Sequence, residues 1–180
     1  MLVDPLDEKV TGLKIPKAKD DIILNREFFE TEKKKSEVFE ISSPGEYEVK
    51  GVFVYGVESQ NEYPKIVYRF EIDGIVMAHL GSISKMLDDE ATSELGGVDV
   101  LLVPVGGHTV LSADLAVKTV AQIEPRVIIP MYYKIPGLKQ EMETAEKFLK
   151  QLGLKWEEQD KLNLKKKDLT EETQVVVLKV

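Results

Sequence analysis

The side chains here whose types could do chemistry are two histidines, a few serines and a tyrosine pair at a strand end. His79 closes the apolar run Ile75 to His79, and His108 follows Gly106-Gly107 on a loop leading into a helix. A zinc site needs three or four ligands of histidine, thiolate or carboxylate type. With two histidines and no cysteine in the chain, His79 and His108 would have to recruit carboxylates, and no spacing signals that they do. The alternative for each is a hydrogen-bonded structural histidine. Ser42, Ser43, Ser82, Ser84 and Ser112 lie in neither a G-x-S-x-G elbow nor an S-x-x-K frame, so none is marked as a nucleophile. Gly106-Gly107 lacks the following glycine and lysine of a phosphate loop and reads as a tight strand-to-helix turn. Glu46 and Glu48 fall in a turn-strand segment, and Asp88-Asp89-Glu90 reads as a solvated helix surface.

The stretch "RVIIPMYYKIP", residues 126 to 136, sharpens the question. Its β-branched apolar run reads as a strand buried on both faces. In an open α/β sheet the functional groups lie just past the carboxyl ends of such strands. Here that place holds Tyr132 and Tyr133.

The elements that must position these groups follow from periodicity. "DIILN" at 21 to 25 is a short strand, and Glu27 to Glu37 is a charged, helix-compatible stretch. Residues 38 to 57 read as β-rich, with "SPGEY" as a turn between two strands. Lys65 to Phe70 and Ile75 to His79 flank Asp73-Gly74, a pair suited to the positive φ of a tight hairpin. Beyond Gly81 the pattern predicts a helix over 83–95, a strand over 99–105, a helix over 113–123 with Ser112 as N-cap, the 126–131 strand, and a helix from about 140 to 152 closed by Gly153. Gln174 to Lys179 supplies a last strand after a turn at Lys167-Asp168. Antiparallel strands come first and α/β units second, in one layered domain spanning 1–180 with helices covering sheet.

Composition narrows the partners. The formal charge of -8, from 24 Lys and Arg against 32 Asp and Glu, opposes attraction to phosphate backbones, so nucleic acid is not expected. Lys33-Lys34-Lys35 and Lys165-Lys166-Lys167 read as solvated faces. The absence of cysteine fits a reducing compartment. With charges early in "MLVDPLDEKVTGLK" and no apolar stretch long enough to span a bilayer, no membrane partner and a cytoplasmic location are expected.

"SPGEYEVKGVFVYGV", "AHLGS", "GVDVLLVPVGG" and "IEPRVIIPMYYKIPGL", in that order, resemble the metallo-β-lactamase-fold hydrolases, in particular a small prokaryotic branch near the ascorbate-phosphate-lactonase-like enzymes. The resemblance implies an α/β fold, an αββα sandwich of two facing sheets with helices outside. It also implies a binuclear metal centre at one edge, whose metal-bound hydroxide attacks a phosphoester, lactone or amide. Carried across residue by residue, the H-x-H-x-D-H motif falls on residues 25 to 30, which are Asn25, Arg26, Glu27, Phe28, Phe29 and Glu30. The next family histidine falls near Gln60 or Asn61, the bridging aspartate on Ser82, and the last histidine on Tyr132. The family's two strands before "DP" have no counterpart ahead of Asp4-Pro5, so the resemblance implies a sandwich trimmed at the amino terminus, with a sheet edge to be covered.

Two readings follow. The first is a non-catalytic binding or assembly module with vestigial site positions Asn61, Ser82 and Tyr132, no cofactor, and a homodimer or other protein partner covering the open edge near residues 1 to 5 and 38 to 57. The second is a metal-dependent phosphoester or lactone hydrolase with a remodelled site, in which His79, His108, Glu27 and Glu30 are the candidate ligands for zinc, manganese or iron. The first was the leading expectation.

Overall fold

The computed structural model describes residues 1–5, 8–14, 21–25, 38–62 and 64–179. The anticipated helical stretch over 27–37 lies outside them. Along the described chain run β1 (Leu2–Val3), α1 (Glu8–Thr11), β2 (Ile22–Leu24), β3 (Phe39–Ile41), β4 (Gly45–Val49), β5 (Val52–Glu58), β6 (Ile66–Ile72), β7 (Ile75–His79), α2 (Asp89–Leu95), β8 (Val100–Pro104), α3 (Ala113–Ile123), β9 (Val127–Met131), α4 (Ala145–Leu152), β10 (Trp156–Gln159), a 3-10 turn (Lys166–Asp168) and β11 (Gln174–Leu178).

Two sheets form. The larger has eight strands in the order β10-β11-β9-β8-β7-β6-β5-β4, and the smaller has the order β1-β2-β3. β4 to β7 are an antiparallel meander, whereas β7, β8, β9, β11 and β10 run parallel. The Asp73-Gly74 hairpin forms as anticipated, with both residues at positive φ (51° and 74°) as a two-residue turn requires.

One face of the large sheet is covered by α2, α3 and α4. In α4 the side chains of Ala145, Phe148, Leu149 and Leu152 recur at helical spacing and enter one apolar cluster with Ile128, Leu101 and Val175. Fully burying a side chain such as Phe148 contributes roughly 1.5–3 kcal/mol. The other face is covered in two parts. Ile22, Leu24 and Ile41 of the small sheet pack against Val54, Ile66, Tyr68 and Phe70. Farther along, Leu162, Leu164 and Leu169 cover Val100, Val127 and Val176. That second cover is pinned by an ion pair 2.8 Å long between Lys166 and the buried Asp99. The result is the expected layered sandwich, two sheets face to face with helices outside the larger one.

Two helices are shorter than their periodicity suggests, for identifiable reasons. The segment 83–88 is not helical, because the Ser84 and Lys85 N–H groups donate to Asn61 Oδ1 at 3.1 and 2.9 Å. The helix instead starts where Asp88 accepts from the Ala91 N–H, 2.8 Å away, as an N-cap. Likewise α4 begins at Ala145 rather than near 140, since Glu143 pairs with two neighbouring loops through Glu143 N–H to Gly106 (2.7 Å) and Lys134 N–H to the Glu143 carbonyl (2.8 Å). Three strands escaped the sequence reading. Residues 38–58 hold three strands rather than two, because the tight turn falls at Lys50-Gly51, both at positive φ (53° and 78°), while Gly45 to Tyr47 of "SPGEY" already belong to β4. β1 is only two residues long, and β10, Trp-Glu-Glu-Gln, is an exposed edge strand with no apolar alternation.

Candidate functional site

The parallel strands bring their carboxyl ends to one edge of the sandwich. Register pairs His79 with Leu102 and Pro104 with Met131, so Ser82, Gly106 and Tyr132 all follow strands that stop together. On the small sheet, Asp4 and Asn25 follow β1 and β2, which pair in parallel. The two sets meet directly, for the Tyr132 hydroxyl donates to the Asp4 carboxylate.

Each of these residues is held by its backbone. Asp4 and Tyr132 both have φ of 52°, a left-handed conformation uncommon for non-glycine residues. The Asp4 N–H donates to the Leu24 carbonyl at 2.8 Å. The Tyr132 carbonyl leaves no room for a side chain on Gly106, whose added Cβ would lie 2.2 Å from it. Asn25 donates from Nδ2 to Glu40, and its carbonyl accepts from the Tyr68 hydroxyl at 2.6 Å. Below this rim, Leu13 packs with Val110, Leu138, Met142 and Tyr132, tying the α1 segment to the loop that follows β9.

His79 is 7% exposed, and its Nδ1 accepts from the Gly81 N–H at 3.2 Å. Ser82 is half-buried one residue beyond Gly81. His108 is exposed at positive φ (53°) on the loop after β8. Asn61 is buried and has a structural task, accepting the two N–H groups of the 84–85 turn while donating to the Lys85 carbonyl at 3.2 Å. Tyr133, beside the rim, donates to the Leu178 carbonyl at 3.2 Å. Burial first, and Glu158 second, push its phenol pKa up, so it stays a donor at neutral pH.

Of the sequence-predicted positions, the structure brings Tyr132 into contact with the small sheet and sets His79 and Ser82 at the end of the neighbouring strand β7. Glu27 and Glu30 lie outside the described residues. Asp4 was not singled out as a site residue, although an apolar dipeptide ending in Asp-Pro was a usable signal for a carboxylate at a strand end. Among the described residues no group of three or more His, Cys, Asp or Glu side chains could hold a metal ion. The described donors, with the Tyr132 phenol committed to Asp4 and His79 Nδ1 to Gly81, therefore do not fit a complete metal centre by themselves.

A sequence model of the β-lactamase superfamily domain matches residues 1–132. The chain belongs to the β-lactamase superfamily. Within this superfamily it is similar to a UPF0173 metal-dependent hydrolase of Pyrococcus abyssi, with 34% identity over 49% of this chain and 44% of that protein. It is also similar to a UPF0173 metal-dependent hydrolase of Thermococcus onnurineus, at 37% identity over 37% of this chain and 30% of the relative. These matches span less than half the length of those relatives. Among solved structures, a candidate Zn-dependent hydrolase of the metallo-β-lactamase superfamily from Thermotoga maritima superposes with a TM-score of 0.78 at 34% identity, covering 89% of this chain and 82% of that one.

These findings correct two linked expectations, the non-catalytic module and the absence of a metal cofactor. Both rested on family metal ligands missing from this chain, the motif at residues 25 to 30, a histidine near 60 or 61, the bridging aspartate at Ser82 and the last histidine at Tyr132. The superfamily members this chain resembles are named metal-dependent or Zn-dependent hydrolases, and the likeness to the last extends over most of the fold. Aligning a motif onto a loop carries no distances. It shows which side chain is missing but not what replaces it. Among the described residues no helix is long and apolar enough to cross a membrane.

Proposed function

We propose that this superfamily member is a metal-dependent hydrolase with a remodelled site, acting on a phosphoester or lactone at the edge where Asp4, Ser82 and Tyr132 follow their strands. The observation that carries the reading is the match to the Thermotoga maritima structure, at 34% identity and a TM-score of 0.78 over 89% of the chain. Asp4, Tyr132 and His79 lie at the strand ends of this rim, the phenol bonded to Asp4 and His79 Nδ1 accepting from the Gly81 N–H. A bound metal would supply Lewis-acid activation of water. Among the described residues the ligand set is not complete, and the sequence-based candidates Glu27 and Glu30 lie outside them.

The test is elemental analysis of protein expressed with zinc, manganese or iron and then dialysed, together with assays on phosphodiester and lactone substrates. Stoichiometric metal that survives dialysis, with hydrolysis of one class that is lost when a chelator removes the metal, is the expected result. Protein that retains none of the three metals and hydrolyses neither class would overturn the proposal.

A further inference from the structure

The helix-covered face of the large sheet is not covered to its end. Val57 reaches the cluster beneath α2, but the same face of β5 continues through Tyr55 to Phe53, which is 43% exposed. Register identifies the neighbours on that face, because directly opposed residues on adjacent strands point the same way. Phe53 lies between Glu48 of β4 and Glu71 of β6, and Tyr55 between Glu46 and Arg69. The Arg69 guanidinium lies over the Tyr55 ring, 4.8 Å from its centre. A groove of about 620 Å³ runs past Tyr55 and Arg69 and is closed by Glu58 and by Glu94 of α2.

This surface therefore has an aromatic floor, one guanidinium already stacked on it, and five carboxylates around it. We infer that it is a docking site for a basic polypeptide segment in which apolar residues alternate with lysine or arginine. The aromatic floor takes the apolar side chains, and Glu46, Glu48, Glu58, Glu71 and Glu94 take the cations. Arg69 over Tyr55 shows the cation-on-aromatic geometry that an incoming arginine would repeat on Phe53. A second copy of the chain is disfavoured as occupant, since an isologous contact would set five carboxylates against five. The inference does not depend on the hydrolase reading, because the surface lies apart from Asp4 and Tyr132 and uses none of the rim residues.

Fluorescence polarisation with a labelled peptide of alternating lysine and leucine, read across a salt series, tests this. Binding that weakens with salt is expected, with a loss of about tenfold in Phe53→Ser and again in Glu46→Lys/Glu48→Lys. Glu157→Lys/Asp160→Lys, on the opposite edge of the sheet, should bind as the parent does. All the altered positions are exposed, and unchanged thermal melts by circular dichroism establish that each variant is folded. No binding, equal binding by the patch variants, an equal loss in Glu157→Lys/Asp160→Lys, or light scattering that reveals a Phe53-dependent dimer would each overturn the inference.

Discussion

Tyr132 and Asp4, 128 positions apart, join the two sheets through a phenol-to-carboxylate hydrogen bond at the rim of the sandwich. A bond to a charged acceptor is worth more than one between neutral groups, roughly 1.5–3 kcal/mol. Tyr132→Phe keeps the ring and removes only the donor. It is expected to lose stability within that range in urea unfolding followed by fluorescence, whereas Tyr133→Phe, which gives up a bond to a neutral carbonyl, should lose about 1 kcal/mol. Equal losses would mean that the charged acceptor adds nothing over a neutral carbonyl.

Gly106 is required by its neighbour. Its Cβ position is occupied by the Tyr132 carbonyl, whereas the space beside Gly74 is open. Gly106→Ala must displace the strand end and should cost on the order of 2 kcal/mol or more. Gly74→Ala carries only the strain of its positive φ, about 1 kcal/mol. The comparison is made by thermal unfolding of the two variants, and the order of the two costs is the result that matters.

Asn61 holds the 84–85 turn through three hydrogen bonds. Asn61→Ala leaves two N–H groups without their acceptor and should destabilise by about 1–3 kcal/mol. Amide exchange should rise at Ser84 and Lys85 while the α3 amides stay protected. In the metal-dependent reading, the metal content of Asn61→Ala should equal that of the parent, since the side chain faces a backbone turn.

Asp99 sets a pH dependence. Burial, the largest single influence, raises its pKa, but hydrogen bonds from Lys166 and the Val76 N–H, with the charges of Lys166 and Arg126, outweigh it and hold the carboxyl below its usual range. A carboxyl depressed in the folded state binds its proton more readily once unfolded. Its contribution to stability is therefore complete above the usual carboxylate range and is lost as pH falls through the folded-state value. Lys166→Met should cost about 1 kcal/mol or less at neutral pH, because the lysine is half-exposed and screened. That difference should vanish in acid, and a parent-variant gap that is constant in urea titrations from neutral to strongly acidic pH would refute the assignment.

Much of the fold was legible where a local signal and burial agree. Asp73-Gly74, Ser112 and Gly153 each place a turn or cap by chemistry that acts within a few residues. The α2 boundary was not legible, because the acceptor that keeps Ser84 and Lys85 out of the helix is Asn61, more than twenty positions upstream. By contrast, the place of Tyr132 after a buried strand was legible from its local apolar run. Its contact with Asp4 was not legible, because that contact crosses the sandwich, which periodicity does not encode. The non-catalytic reading was overturned by likeness to named hydrolases over most of the fold, which the missing histidines alone do not reveal.

The strand order has a consequence for how the chain reaches this structure. β11 is synthesised after β10 yet lies between it and β9. Trp156–Gln159 therefore emerges from the ribosome with no strand to pair with, and waits until Gln174–Leu178 has slotted beside Val127 and Ile128. β4 to β7 face no such delay, since each pairs with its neighbour in sequence at small loop-closure cost. Strand order thus lets the meander pair locally, whereas β10 can pair only once β11 is in place.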